Sequence, residues 1–204
     1  MVHDDELHQH DAHDHHEHEQ GEGEYASAIE ASRADKDAYF KHAPGSPVPA
    51  VARQAFDGLP YFAVDPSLRF ADLKLEPYAG NEPSSFQIPT SDGQLRPAHR
   101  AGMLTFKVDG EPHRLTAYVL DGSRGDQLFV PFLDLTSGRE TYGAGRYLDL
   151  EPEEEETYLL DFNLAYHPYC VYADTYSCPL TPAENRLPVR IEAGERLAKD
   201  VSPD

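Results

Sequence analysis

The chain has 204 residues, room for one domain with a real core and a tail besides. Its 37 acidic and 17 basic residues leave a net charge of −20, with no run of Lys or Arg to neutralise phosphates, which argues against nucleic acid as a partner. No segment approaches the ~18 apolar residues of a membrane span, and the start, MVHDDELHQH, has neither half of a signal peptide, so a cytoplasmic protein without membrane association is predicted.

Lysine is scarce, five residues against twelve Arg. Abundant Asp and Glu with little Lys suits a halophilic, high-salt cytoplasm, where charge repulsion is screened over a few ångströms. An ordinary acidic cytosolic protein is the alternative.

Residues 1–24 hold seven His and nine acidic residues, with too few apolar side chains to offset the entropy of ordering. They read as a disordered tail. Its His13, His15, His16 and His18 could bind a divalent metal weakly; a solvated acidic tail is the plainer account.

Residues 25–42 read as a helix, with Ile29, Arg33, Lys36, Asp37 and Phe40 at three- and four-residue steps, closed by Pro44, Gly45, Pro47 and Pro49. A short second helix is predicted over 50–56, stopped by Gly58. Residues 25–58 thus form a helical segment ahead of a β domain at 59–197, with a tail at 198–204.

Strands follow. Residues 68–75 alternate partially, and 77–99 are turn-rich around one short strand near 86–88. Residues 103–108 alternate cleanly. Asp109-Gly110, which tolerates positive φ at both positions, then turns the chain into a partner strand at 114–120. The run 127–133 is apolar throughout and reads as a strand buried on both faces. Further strands are expected at 146–150, 157–164 and 189–192. Many short strands on tight turns predict a mainly β (α+β) fold: an antiparallel β-barrel or β-sandwich with one or two N-terminal helices.

The stretch from 128 to 196 concentrates polar and aromatic residues among apolar strands, including seven of the twelve tyrosines and both cysteines. If 157–164 is one strand, Asp161 and Asn163 share a face about 7 Å apart. Asp134, Glu140 and Arg146 can pair with one another, Arg being suited to a bidentate grip on a carboxylate or a bound anion. Asn185 and Arg186 repeat the theme, and Tyr142 sits in the glycine turns between. The segment GAGRYL lacks the third glycine of a dinucleotide fingerprint and precedes a strand, not a helix. Ser137 lacks the flanking glycines of a nucleophile elbow. No cofactor is therefore predicted.

Cys170 and Cys178 can be buried thiols, a disulfide, metal ligands with His167, or a reactive pair with His167 or His113 as base. In a cytoplasmic protein free thiols outrank a disulfide.

The stretches FDGLPYFAVDPSLRF (56–70), LFVPFLDLTSGRETYGAGRYLDL (128–150) and LDFNLAYHPYCVYADTYSCPLTPAENRLPVRIEAGE (160–195) resemble the prokaryotic "domain of unknown function 1684" family. With the helix of Arg33, Lys36, Asp37 and Phe40, the resemblance covers about residues 25–196. It carries no activity with it. It does imply that Thr136, Ser137, Gly138, Glu140, Thr141, Tyr142, Gly143, Gly145, Arg146 and Tyr147, and Asp161, Asn163, Tyr166, Pro168, Cys170, Cys178, Pro179, Asn185 and Arg186, belong to a family signature. The family pattern has Asn where this chain has His167, which speaks against a shared metal or base role there.

Three functions stay open: a small-molecule binding module, an enzyme and a structural protein. The first would hold a polar or anionic ligand among Asp134, Glu140, Tyr142, Arg146, Asp161, Asn163, Asn185 and Arg186. The second, a hydrolase or lyase, would need Asp134, Glu140 or Asp161 in a dry pocket with a raised pKa.

Overall fold

The computed structural model describes residues 7–122 and 127–198, and of residues 7–20 and Glu155 the backbone alone. The helix α1 runs Leu7–His42. It therefore begins inside the segment read as an unstructured tail, and the side chains of His13, His15, His16 and His18 lie outside the described residues. A helix docked at one end extends at one hydrogen bond per residue fixed, without a second nucleation cost. Its docked end carries the buried Ile29, Arg33 and Phe40. Phe40 packs edge-on to Tyr172, ring centroids 5.2 Å apart, in a small core with Val48 and Leu59.

The second helix shrinks to a single 3-10 turn, Arg53–Ala55. Its prolines explain this, since Pro47 and Pro49 leave too few residues for a nucleus before Gly58. The Arg53 side chain instead staples the loop to the helix end, donating to Val48 O and Ala43 O, each at 2.8 Å.

Seven strands follow: β1 Arg69–Lys74, β2 Ser85–Pro89, β3 Leu95–Val108, β4 Glu111–Leu120, β5 Leu128–Phe132, β6 Arg146–Leu150 and β7 Thr157–Asp161. Five form one antiparallel sheet in the order β2-β3-β4-β5-β6, and β1 pairs with β7 in a second. The predicted hairpin joins β3 to β4 through Asp109 and Gly110, at φ 52° and 83°. The strand β5 is buried at every position, as its apolar run implied. The sheets touch at two bridges, Glu76 with Met103 and Pro152 with Tyr158, and do not close into a barrel. Among the described residues the fold is mainly β, with antiparallel sheets and one α-helix.

Two strand expectations change. The backbone of 189–192 forms no strand, because Ile191 N–H donates to the Asp134 carboxylate at 2.7 Å instead of to a ladder partner. Strand β7 stops at Asp161, whose side chain accepts from Asn163 N–H and caps a 3-10 turn, Phe162–Leu164. Asp161 and Asn163 are therefore not neighbours on one strand face.

The main core lies between the sheets, on Leu104, Phe106, Leu115, Val130, Phe132 and Leu160 among others. One gap in the large sheet is filled by a side chain. Strands β4 and β5 share a single register pair, Tyr118 with Phe129. Beyond it Asn185 completes the ladder: its Oδ1 accepts from Thr116 N–H at 2.8 Å, and its Nδ2 donates to Thr116 O at 2.8 Å and Pro131 O at 2.7 Å.

Candidate functional site

The eight sequence-predicted residues fall into separate places. Asp134 follows the end of β5 and is saturated. It accepts from Thr136 Oγ1 at 2.8 Å, from Ser137 Oγ at 3.1 Å and from the Ile191 amide. Arg146, on β6, lies 3.6 Å from Asp134 and is 1% exposed. Its guanidinium donates to the carbonyls of Ile191 at 2.7 Å, of Glu195 at 3.2 Å and of Ala193. Burial pulls its pKa down to about 10, with Asp134 and Glu195 opposing, so it is charged at neutral pH. This centre ties the C-terminal segment 191–195 across β5 and β6, since a buried guanidinium needs its donors met.

Asp161 and Asn163 form a second centre. Tyr25 O–H lies 2.9 and 2.8 Å from the two Asp161 oxygens, and Asn163 Nδ2 donates to Tyr25 Oη at 2.9 Å and Asp65 O at 2.8 Å. Asp65 N–H in turn donates to Asn163 Oδ1 at 2.8 Å. The pair anchors α1 and the 65–68 turn to the end of β7. Asn185 belongs to the sheet. Arg186 is exposed, and its backbone bridges Leu133. Glu140 pairs at the surface with Arg190, at 2.6 Å, and not with Arg146. Tyr142 is half-buried beside Cys170.

A cleft lies elsewhere. A cavity of about 360 Å³ opens between the 48–60 loop, the turn at 167–172 and residues 196–198. Its walls are mostly apolar, with Val48, Phe56, Leu59 and Val171 among them, and His167, Tyr172 and Arg196 supply the polar groups. Directly behind His167 and Tyr172 sits Glu195, 1% exposed. Its carboxylate accepts from His167 N–H at 2.7 Å and Tyr172 O–H at 3.1 Å, and meets Lys36 Nζ at 2.6 Å.

His167 is neutral. Burial, with the Arg146 and Lys36 charges, pushes its pKa down to about 3. Glu195 lies 3.6 Å from Nδ1, beyond hydrogen-bond reach, and its charge is already met by Lys36. The Tyr142 amide donates to His167 Nε2 at 3.2 Å, so that lone pair is occupied and the Nδ1–H tautomer follows. Glu195 thus holds the His167 backbone without a hydrogen bond to the ring, and the ring's basic nitrogen is already in use.

Arg196 differs from the other cationic groups near the cleft. Its guanidinium stacks over Phe62, 5.4 Å from the ring centroid, and among the described residues it has no hydrogen-bonded carboxylate. A larger concavity of about 780 Å³ lies over 85–87, 97–99 and 119–122, but it opens broadly to solvent and its charged groups are exposed. Among the described residues no three His, Cys, Asp or Glu side chains are placed to hold a metal ion. Among the same residues no helix is long and apolar enough to cross a membrane.

A family model described as a protein of unknown function, DUF1684, matches residues 54–196. The chain belongs to this family. It is also similar to the solution NMR structure of an uncharacterized protein from Haloarcula marismortui, at 37% identity and a TM-score of 0.63. That likeness covers 89% of this chain and 99% of the other. No curated protein matches.

The DUF1684 match takes in the Arg146 centre, the Asn185 bracket, and His167, Tyr172 and Arg196 of the cleft. It leaves α1 outside, with Tyr25 and Lys36. Sequence reasoning passed over Glu195, Tyr172 and Arg196. In the run IEAGER, Glu195 and Arg196 look like an ordinary solvated pair of opposite charge. The one usable signal is Gly194, at φ 75°, which turns the chain so that Glu195 points inward and Arg196 lies in the cleft wall.

Proposed function

We propose that the protein is a small-molecule binding module and that the cleft between the 48–60 loop and residues 167–172 takes a small anionic ligand with an apolar body. The observation that carries this is Arg196: a half-buried residue in a cavity wall, stacked on Phe62 and with no hydrogen-bonded carboxylate among the described residues, Glu140 feeling its charge only through space. In a chain with 37 acidic residues, an arginine beside a cavity with no hydrogen-bonded carboxylate is suited to an anion from outside. The volume of about 360 Å³ falls within the range of ~300–1,000 Å³ common for small-ligand sites. The apolar walls fit the body, and the neutral His167 and Tyr172 leave the cleft without a second cation.

An acid–base enzyme has less support. Asp134 and Asp161 are saturated by hydrogen bonds, Glu140 is at the surface, and His167 Nε2 is taken.

The test is a thermal-shift and calorimetric titration of the full chain with linear monocarboxylates and phosphate monoesters of increasing alkyl length. A ligand that binds the native state raises the melting temperature by mass action. Saturable binding that strengthens with chain length, and weakens about tenfold or more in Arg196→Leu, is expected. No saturable binding by any of them, or equal binding by Arg196→Leu, overturns the reading.

A further inference from the structure

Much of the donor capacity around the 360 Å³ cleft is already engaged. Backbone N–H groups of its walls are bonded: Val48 to Ser46 Oγ at 3.1 Å, Leu59 to Asp37 Oδ1 at 2.9 Å, His167 to Glu195 Oε2 at 2.7 Å, Arg196 to Pro60 O at 2.9 Å and Leu197 to Glu140 O at 2.7 Å. Three lining side chains carry a polar donor: His167, Tyr172 and Arg196. The Tyr172 O–H is donated to Glu195 at 3.1 Å. The His167 ring accepts the Tyr142 amide at Nε2, and its Nδ1 lies 3.6 Å from the same Glu195 carboxylate. Arg196 remains, half-buried, stacked on Phe62 and with no hydrogen-bonded carboxylate among the described residues.

The charges behind the walls are closely balanced. Two carboxylates stand directly behind lining residues, Asp37 on the Leu59 amide and Glu195 on the His167 amide. Lys36 meets Glu195 at 2.6 Å. Arg196 and Lys36 together offset Asp37 and Glu195, so these four groups are neutral before a ligand enters. The other nearby cations are committed elsewhere. Arg33 pairs with Glu30 at 3.3 Å, Arg146 lies against Asp134, and Arg190 holds Glu140 at the surface. Arg53 donates to Ala43 O and Val48 O at the C-terminal end of α1, the negative pole of the helix.

We propose that the cleft takes a singly charged head group, a carboxylate, and discriminates against a doubly charged phosphate, with Asp37 and Glu195 as the residues that set this limit. This rests on the cleft's being a ligand site. One edge of a guanidinium meets both oxygens of a carboxylate in a bidentate pair. A phosphate brings a third oxygen into walls whose other donors are engaged, and a polar group left unmet in an apolar site costs free energy. Its second charge would also face Asp37 and Glu195 after Arg196 has been neutralised by the first. In a partly dry site such a repulsion changes affinity by about tenfold or more.

The experiment titrates the full chain calorimetrically with octanoate and with octyl phosphate at about pH 8, where the first is singly and the second doubly charged. Salt at about 0.5 M damps the field of the whole chain. Both ligands carry the same alkyl body, so the ratio of their dissociation constants isolates the head group. Octanoate is expected to bind about tenfold or more tightly. Glu195→Gln, which can still accept from the His167 amide and the Tyr172 hydroxyl, should narrow that ratio by about threefold or more in favour of the phosphate. A merely structural loss would weaken both ligands alike and leave the ratio where it was. Asp37→Asn keeps an acceptor for the Leu59 amide and gives the same readout where Glu195→Gln does not fold. Octyl phosphate binding as tightly as octanoate, or a ratio unmoved in the folded variants, overturns the inference while the cleft stands as a ligand site. Absence of binding by either ligand overturns the reading of the cleft and this inference with it.

Discussion

Tyr25, on the helix α1, donates its phenolic O–H to the carboxylate of Asp161 at the end of β7, 136 residues later in the chain, at 2.8 to 2.9 Å. That contact is where the helix is locked to the small sheet. Burial, with the Asp161 hydrogen bond and charge, pushes the Tyr25 pKa up, so the phenol stays a donor through the physiological range.

Tyr25→Phe is predicted to cost about 1–3 kcal/mol, the range for removing one partner of a charged hydrogen bond. The loss should be local. Amide exchange should quicken along the first docked turns of α1 before it does in β3 or β4. A variant with parent-like urea midpoint and unchanged α1 exchange would show that the latch does not hold the helix.

A second prediction concerns Asn185, whose one side chain makes three hydrogen bonds to β4 and β5 where they diverge. Asn185→Leu keeps the volume but leaves the buried Thr116 amide and two carbonyls unpaired, at about 1–3 kcal/mol for each group left unsatisfied. The Thr116 amide proton should exchange much faster, and the denaturation midpoint should fall. Asn185→Asp should recover the Thr116 N–H contact alone and land between the two. Protection at Thr116 as strong as in the parent would contradict the bracket.

Arg146 provides the third. It is buried with Asp134 at 3.6 Å and donates to three carbonyls of the segment 191–195. Removing one partner of a buried pair costs about 3–5 kcal/mol, because the other charge stays behind. Arg146→Met should show that loss in denaturant titration. Arg146→Met with Asp134→Asn should recover part of it, since the stranded carboxylate is gone. Lysine should not restore the parent stability, having no planar fork for Ile191 O and Ala193 O together. A Lys variant as stable as the parent would argue that charge alone matters here.

What the sequence disclosed depended on how local each signal was. The β3–β4 hairpin was legible because Asp109-Gly110 and the alternation around it are sufficient in themselves. The burial of β5 was legible from five apolar residues in a row. The Asp134–Arg146 pairing could be anticipated from chemistry, but Glu140's turn toward Arg190 could not, because both are surface groups free to choose. The strand reading of 157–164 failed where an aspartate side chain competed with the backbone: Asp161 bonding to Asn163 N–H ends the strand, and periodicity does not register that. Glu195 was hidden for another reason. Its burial is made tolerable by Lys36, from the opposite end of the chain, and no local pattern encodes that meeting.

His167 supplies the last prediction, with its sign fixed by linkage. Burial and the Arg146 and Lys36 charges lower its pKa from 6.5 to about 3, so the folded protein holds the ring neutral where the unfolded chain protonates it. The stability this contributes is fully present above about pH 6.5 and declines as pH falls toward 3, where the folded form takes up the proton too. The slope from this one group is at most about 1.4 kcal/mol per pH unit. His167→Asn, which can keep an acceptor for the Tyr142 amide through its Oδ1, removes the titration while leaving the carboxylates to report equally in both proteins. Urea unfolding of parent and variant should therefore diverge between pH 6.5 and 4, with the variant losing less stability on acidification. Parallel curves across that window would mean that His167 titrates alike folded and unfolded, and that the ring is less sequestered behind the cleft than its packing implies.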